Sequence, residues 1–246
     1  MIPGIHKSSI WEEQIVYEDN HILIVNKLPS EIVQGDKTGD IPLSEKIQNF
    51  IRERDHKPGN VFCGVIHRLD RPVSGLVIFA KTSKGLSRFN ELFREKTIQK
   101  TYLAVVKNKP PKSSGTLVNY LVKNEKTNVS RIVDQSNSQA LRAELEYSLV
   151  ASSDNYHLLK IKLLTGRHHQ IRCQLSAIGC PIKGDLKYGF GRTNENGFIH
   201  LHSYSLQFIH PIKLEEIRVS AMPITSDAVW AYFSQPAVLK IISSGF

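Results

Sequence analysis

At 246 residues, with 41% apolar and 22% charged side chains, the chain can bury a sizeable core as one large domain or two modest ones. No apolar run approaches the length of a membrane span. Thirty-two Lys and Arg against 23 Asp and Glu leave a net charge of +9, which favours polyanionic partners because each neutralised phosphate releases condensed counterions; a merely soluble basic protein is the plain alternative.

Three cysteines, Cys63, Cys173 and Cys180, cannot all pair, and none lies in a C-x-x-C. That argues against a disulfide scaffold or zinc ribbon and for a reducing compartment. The stretch Met1 to Asn20 has no apolar signal segment, so the chain is expected to be cytoplasmic.

In chain order, "IVYEDNHILIVNK" predicts two short strands around a turn at Glu18-Asp19-Asn20. Leu43, Ile47, Phe50 and Ile51 then recur at helical spacing, and Pro58-Gly59 closes that helix. "GVIHRLD" begins a strand and "SGLVIFAK" is another. Thr82 or Ser83 caps a helix whose Leu86, Phe89, Leu92 and Phe93 make one apolar face. "KTYLAVVKN" is a strand, "KPPKSSG" a loop, and Leu117 to Gln139 is a long excursion of strand pieces.

A hairpin turns around Ser153-Asp154-Asn155, with His157, Leu159, Ile161 and Leu163 on one face and Lys160 and Lys162 on the other. Thr165 is expected to cap the next helix, with Ile171, Leu175 and Ile178 inward and Gly179 as its stop. "GFIHLHSYSLQFIHP" gives one or two more strands, and the tail a helix up to Pro236. No repeat, low-complexity block or linker divides the chain. Many strands with irregularly placed helices and no βαβ alternation indicate an α+β fold with a largely antiparallel or mixed sheet, in a single domain over residues 1–246.

The chemistry is concentrated in "GVIHRLDRPVSGLVIFAK", where His67-Arg68-Leu69-Asp70-Arg71 lies between two apolar runs. A strand held through Asp70 would put Ile66, Arg68 and Asp70 on one face, and Pro72 forces it to end there. Asp70 then stands at a strand end between two cations, ionised and able to act as nucleophile or base; a structural Asp bonding turn amides fits the same residues. "LLTGRHHQIRCQL" is a second polar motif. With Thr165 as cap, its first helical turn would carry Arg167, His168 and His169, an anion-attracting helix start or simply a solvated basic helix end.

These stretches, with "KTYLAVV", "GCPIKGDLKYG" and "LHSYSLQFIHP", resemble in order and spacing the motifs of the RluA-type RNA pseudouridine synthases, over roughly Ile15 to Pro211. The pairing of H-R-L-D and a trailing S-G with G-R-x-H-Q-I-R about a hundred residues later is highly specific. The resemblance implies a catalytic domain with a bent mixed or antiparallel sheet, flanking helices and a central RNA-binding cleft. It implies isomerisation of uridine to pseudouridine in ribosomal or transfer RNA by a monomer, with no cofactor, metal or membrane.

Asp70 matches the family's essential catalytic residue, Arg167 its expected ion-pair partner, and Tyr102 the tyrosine that packs on the target uracil. Arg68 matches the arginine that takes the place of the extruded nucleotide, a task suited to a planar, permanently charged guanidinium. Arg71 is a phosphate-contact candidate, with a plain surface arginine as the alternative. From the residues alone, Tyr102 reads equally as a core aromatic on its strand.

Two departures stand out: Val73 where the family usually has threonine, and residues 27–36, "KLPSEIVQGD", in place of a K-P-x-G segment. About fourteen residues precede the catalytic motifs, too few for the small RNA-binding domain often fused in front. RNA binding is therefore expected from the catalytic surface itself.

Two other classes compete. A metal hydrolase could draw on His168, His169, His200, His202, His210 and Cys173, though no carboxylate-rich or Cys-paired spacing accompanies them. A non-catalytic RNA-binding domain would share the basic charge without needing Asp70.

Overall fold

The computed structural model describes residues 10–225 and 227–244. Its elements, in chain order, are β1 (Ile15–Glu18), β2 (Ile22–Lys27), α1 (Leu43–Arg54), β3 (Gly64–Val65), β4 (Ser74–Ala80), α2 (Ser83–Glu95), β5 (Gln99–Val106), β6 (Ser114–Asn124), β7 (Val129–Val133), β8 (Leu141–Ser152), β9 (His157–Leu163), α3 (Gln170–Ala177), β10 (Leu201–Ile209), β11 (Glu216–Ser220), α4 (Ala228–Phe233) and α5 (Pro236–Ser243). Short 3-10 turns lie at Glu12–Gln14, Leu186–Tyr188 and Glu195–Gly197. The α+β class expected from the sequence holds. The chain forms two compact units, Met1–Ile98 with Ser205–Pro223, and Gln99–Tyr204 with Ile224–Phe246.

In the first unit β2 lies antiparallel between β1 and β4, β3 pairs with β4, and the end of β10 pairs with β11. Every residue of β2 and β4 is buried. Their unbroken apolar runs fit strands covered on both faces rather than one. Ile22, Ile24, Leu76 and Ile78 join Phe89, Leu206 and Phe208 in one core cluster, and Phe89 meets Phe208 edge-on at 5.4 Å.

Helix α2 starts where the Thr82 hydroxyl accepts the Gly85 N–H at 3.0 Å, one of the two caps expected. A Cβ on Gly85 would stand 2.7 Å from the His21 carbonyl oxygen, so glycine is what lets this helix lie against the β1–β2 turn.

In the second unit the strands run in the order β5-β9-β8-β6-β7, every neighbouring pair antiparallel. The excursion from Leu117 to Gln139 holds most of β6, a turn, β7 and the start of the loop to β8, a hairpin with few buried residues and so only a weak apolar pattern. Lys160, expected on a polar face, is buried: its Nζ donates to the carbonyls of Ile242 and Ser244 at 2.7 and 2.6 Å, so α5 covers that part of β9. The tail does not stop at Pro236, which occupies the first turn of α5, where its missing N–H has no partner to lose. Helix α4 is capped by Asp227, whose carboxylate accepts from Val229 and Trp230 and lies 2.8 Å from His200 Nε2.

Candidate active site

The strand expected to run through Asp70 ends at Val65. His67 explains part of this, since its Nε2 accepts the Ile78 N–H at 3.0 Å and its ring stacks on Phe93 at 4.7 Å, drawing the segment out of a regular ladder. Asp70 therefore lies in an irregular stretch and opens a tight turn, closed by the Val73 N–H donating to the Asp70 carbonyl at 3.0 Å. Asp70 is half-buried, Arg68 exposed, and Val73 buried at 2% exposure, so its side chain is packed rather than open to the site.

Beneath this turn lies a group that sequence reasoning missed. Lys27 closes β2 fully buried, and its ammonium donates to the carbonyls of Leu28, Glu31 and Arg71 at 2.9, 2.9 and 3.2 Å. Burial pushes its pKa down to about 7, against the opposing pull of the Glu31 and Asp70 carboxylates. The Arg71 carbonyl also accepts the Ser30 N–H at 2.9 Å. Glu31 in turn accepts from Leu28 N–H and Gln14 and pairs with Lys46 at 2.9 Å. The atypical 27–36 segment is thus bonded to the main chain of the Asp70–Arg71 turn. A lysine at the end of "ILIVNK" looks from sequence like a side chain reaching solvent, and no local signal reveals its burial.

Arg71 does not present a bare guanidinium. It donates to Asp40 at 2.6 Å, to Asp36 at 3.2 Å and to the Thr38 hydroxyl at 2.6 Å.

Tyr102 and Arg167 belong to the second unit. Tyr102 lies on β5 opposite Ile161 of β9 and is 7% exposed. Arg167 stands on the loop leaving β9, with its Nε donating to the Arg142 carbonyl at 3.0 Å. Thr165 does not cap α3: its hydroxyl accepts the Glu144 N–H at 2.7 Å and bonds Gln170 at 2.7 Å. The cap is His169, held in the left-handed region at φ 52°, so Arg167 and His168 precede the helix rather than forming its first turn.

Gln170, another residue missed, fixes that loop. Its carboxamide oxygen accepts the Arg167 N–H at 3.0 Å while its nitrogen donates to the Glu144 carbonyl at 3.0 Å.

Behind the loop is a buried polar cluster. Arg172 makes a two-point pair with Asp185 at 2.7 and 2.8 Å and lies over the Tyr188 ring. Burial, helped by the Arg172 charge, pushes His169 down to about 2. The ring is therefore neutral, and its Nδ1 shares a hydrogen bond with the Tyr188 hydroxyl at 3.0 Å, which itself accepts the Ser130 N–H at 2.8 Å.

The histidines weighed for a metal hydrolase have separate partners. His168 bonds Ser130, His169 Tyr188 and His200 Asp227, while His202 lies edge-on to Trp230 and His210 is 3.1 Å from Asp19. Among the described residues no group of three or more His, Cys, Asp or Glu is placed to hold a metal ion, and no helix is long and apolar enough to cross a membrane.

Comparison with known proteins decides the family. The family model for RNA pseudouridylate synthase matches residues 21–177. The chain belongs to that family. Its members convert uridine in RNA to pseudouridine and are isomerases.

The chain is 33% identical to ribosomal large subunit pseudouridine synthase C of Pasteurella multocida, over 88% of this chain and 66% of the relative. It is 34% identical to the protein of that name from Haemophilus influenzae, over 89% and 67%. It thus spans about two thirds of the length of these relatives. Among solved structures it resembles human RNA pseudouridylate synthase domain containing 4, with TM-score 0.72 and 20% identity over 94% of this chain and 93% of that one. Human RNA pseudouridylate synthase domain containing 1 matches with TM-score 0.69 and 24% identity over 90% and 86%. Both likenesses support the fold.

Proposed function

We propose that this chain isomerises uridine to pseudouridine in structured RNA, with ribosomal RNA as the first candidate and transfer RNA the second. It acts as a cytoplasmic monomer through one catalytic domain, residues 1–246. Asp70 is the catalytic carboxylate, Arg167 its charge partner and Tyr102 the ring against the target uracil. Arg68 fills the place of the extruded nucleotide, since the reacting bonds cannot be reached in a stacked helix. Arg71 contacts backbone phosphate.

The observation that carries the reading is the seating of Asp70 on a tight turn whose main chain is tied to the buried ammonium of Lys27. A reacting carboxylate gains most from a fixed position, because pre-oriented groups need no rearrangement at the moment of reaction. The relatives' printed names, which specify the ribosomal large subunit, favour ribosomal RNA as substrate. Among side-chain types here Arg68 fits base replacement, being exposed and planar.

The experiment is pseudouridine mapping of total cellular RNA with and without the gene, followed by restoration with wild type or Asp70→Asn. The expected result is one or a few sites that vanish on deletion and return only with wild type, while purified Asp70→Asn still binds RNA. Retained product with Asp70→Asn would refute the assignment. A second arm raises salt, which should weaken RNA binding steeply because phosphates supply most of the affinity.

A further inference from the structure

Arg71, the phosphate contact of the reading above, is already held by two anions of its own chain. Asp40 and Asp36 each take one nitrogen of its guanidinium at 2.6 and 3.2 Å, and Thr38 shares the second. Both carboxylates come from residues 34–41, inside and just beyond the stretch where the sequence departs from the family pattern.

Three observations make this occupancy exchangeable. The first is exposure: the side chains of Arg71, Asp36 and Asp40 are 37%, 42% and 57% accessible, and ion pairs so open to water are weak. The second is the loop's lack of support. It is folded on itself by Asp36 accepting the Thr38 N–H and by the Thr38 hydroxyl, which lies within bonding distance of both the Asp36 and Asp40 carboxylates and can donate to one at a time, and it turns at Gly39 with φ +77°. A Cβ placed on Gly35 or Gly39 would meet nothing within 4 Å, so the loop can move at these points without disturbing a core. The third is that Arg71 does not depend on the loop for its place, because its carbonyl is held independently by Lys27 and Ser30.

The chemistry matches as well. A guanidinium fork recognises paired oxygens, and two carboxylate oxygens present to it what the non-bridging oxygens of a phosphodiester would present.

We propose that Asp36 and Asp40 are a built-in stand-in for RNA phosphate: they occupy Arg71 in the free protein, and a backbone phosphate of the bound RNA replaces them, releasing residues 34–41. This rests on the RNA reading above and adds selectivity to it. An RNA that places a phosphate at Arg71 recovers the lost pairs, whereas one that does not leaves Arg71 paired with Asp36 and Asp40 and gains nothing from it.

A permanent brace, the competing role for the same contacts, predicts an effect of opposite sign. The test uses the full chain and an unmodified transcript of large-subunit ribosomal RNA, with binding measured by filter retention across a salt series and product by pseudouridine mapping. Asp36→Asn/Asp40→Asn removes the competing charge while keeping size. Glu12→Gln/Glu13→Gln, at two exposed positions, makes the same change in net charge elsewhere. If the carboxylates are stand-ins, the first variant binds about 3- to 10-fold tighter than the second, the range set by one or two exposed ion pairs. Arg71→Ala then weakens binding more in the Asn/Asn background than in wild type, since only there does its phosphate contact carry no competing cost.

Weaker binding by Asp36→Asn/Asp40→Asn, or binding equal to the charge control, overturns the inference. Wild type that makes product while its variants show the wrong sign refutes the inference alone. Wild type that neither binds nor modifies this transcript, and does neither with unmodified transfer RNA, refutes the RNA reading and the inference with it.

Discussion

Replacing Lys27 with methionine should flatten the rise of stability with pH above neutrality. The ammonium is fully buried, and burial holds its pKa at about 7, against 10.5 for the free side chain. The folded pKa is lowered, so between those values the unfolded chain binds more protons than the folded one and stability increases with pH. Below about 7 the charged form is present in both states and its burial penalty applies in full.

From about pH 7 to about pH 8.5 the titration begins at its midpoint and approaches a slope of about 1.4 kcal/mol per unit, giving a gain of roughly 1.6 kcal/mol from this one group. Lys27→Met lacks that gain. The variant also leaves the Leu28 and Glu31 carbonyls without this donor, but that cost is independent of pH and cancels in the comparison. Urea unfolding of both proteins, run in parallel across the interval, measures the difference. Two curves that stay parallel would show that Lys27 does not change protonation there and would refute the reasoning.

Asp185→Asn breaks a two-point pair whose side chains are only 4% and 1% exposed, leaving the Arg172 guanidinium buried without its counter-charge. The expected loss is about 3–5 kcal/mol in urea unfolding, and Arg172→Met/Asp185→Leu should recover much of it because both charges leave together. Asp227→Ala removes the α4 cap and the His200 contact, for a combined loss of about 2 kcal/mol. Partial burial raises and the hydrogen bonds of His200 and Trp230 more than offset it, leaving Asp227 at about 2. Its contribution is therefore complete above the ordinary carboxylate value of 3.8 and lost as pH falls toward 2, so the acid limb of unfolding should be shallower in the variant.

What the sequence revealed was what local chemistry determines. Thr82 and the apolar face of α2 could be identified because a cap and a 3.6-residue period lie within one short window. The H-R-L-D segment was found for the same reason, as a dense charge cluster between apolar runs. Thr165 misled because its hydroxyl is claimed by Glu144, twenty-one residues earlier, and the helix begins instead at a histidine in a left-handed conformation. Arg71 looked available because Asp36 and Asp40 are 35 and 31 positions away, beyond any spacing rule. Lys160 was expected on a polar face, and the burial of Lys27 has no sign in the sequence, since a lysine satisfied by main-chain carbonyls leaves no signature in its neighbours.

Lys160 has a consequence for the order in which the second unit matures. Its strand is synthesised 82 residues before the carbonyl of Ile242 that receives its ammonium. Until then the strand carries a positive charge on a surface destined to be dry, so β9 stays wet on that side while its hairpin with β8 can already form. Closure over this lysine is a late, long-range event on the growing chain, and shortening the helix that performs it would leave that side of β9 open to water, with the ammonium solvated and the apolar surface beside it uncovered.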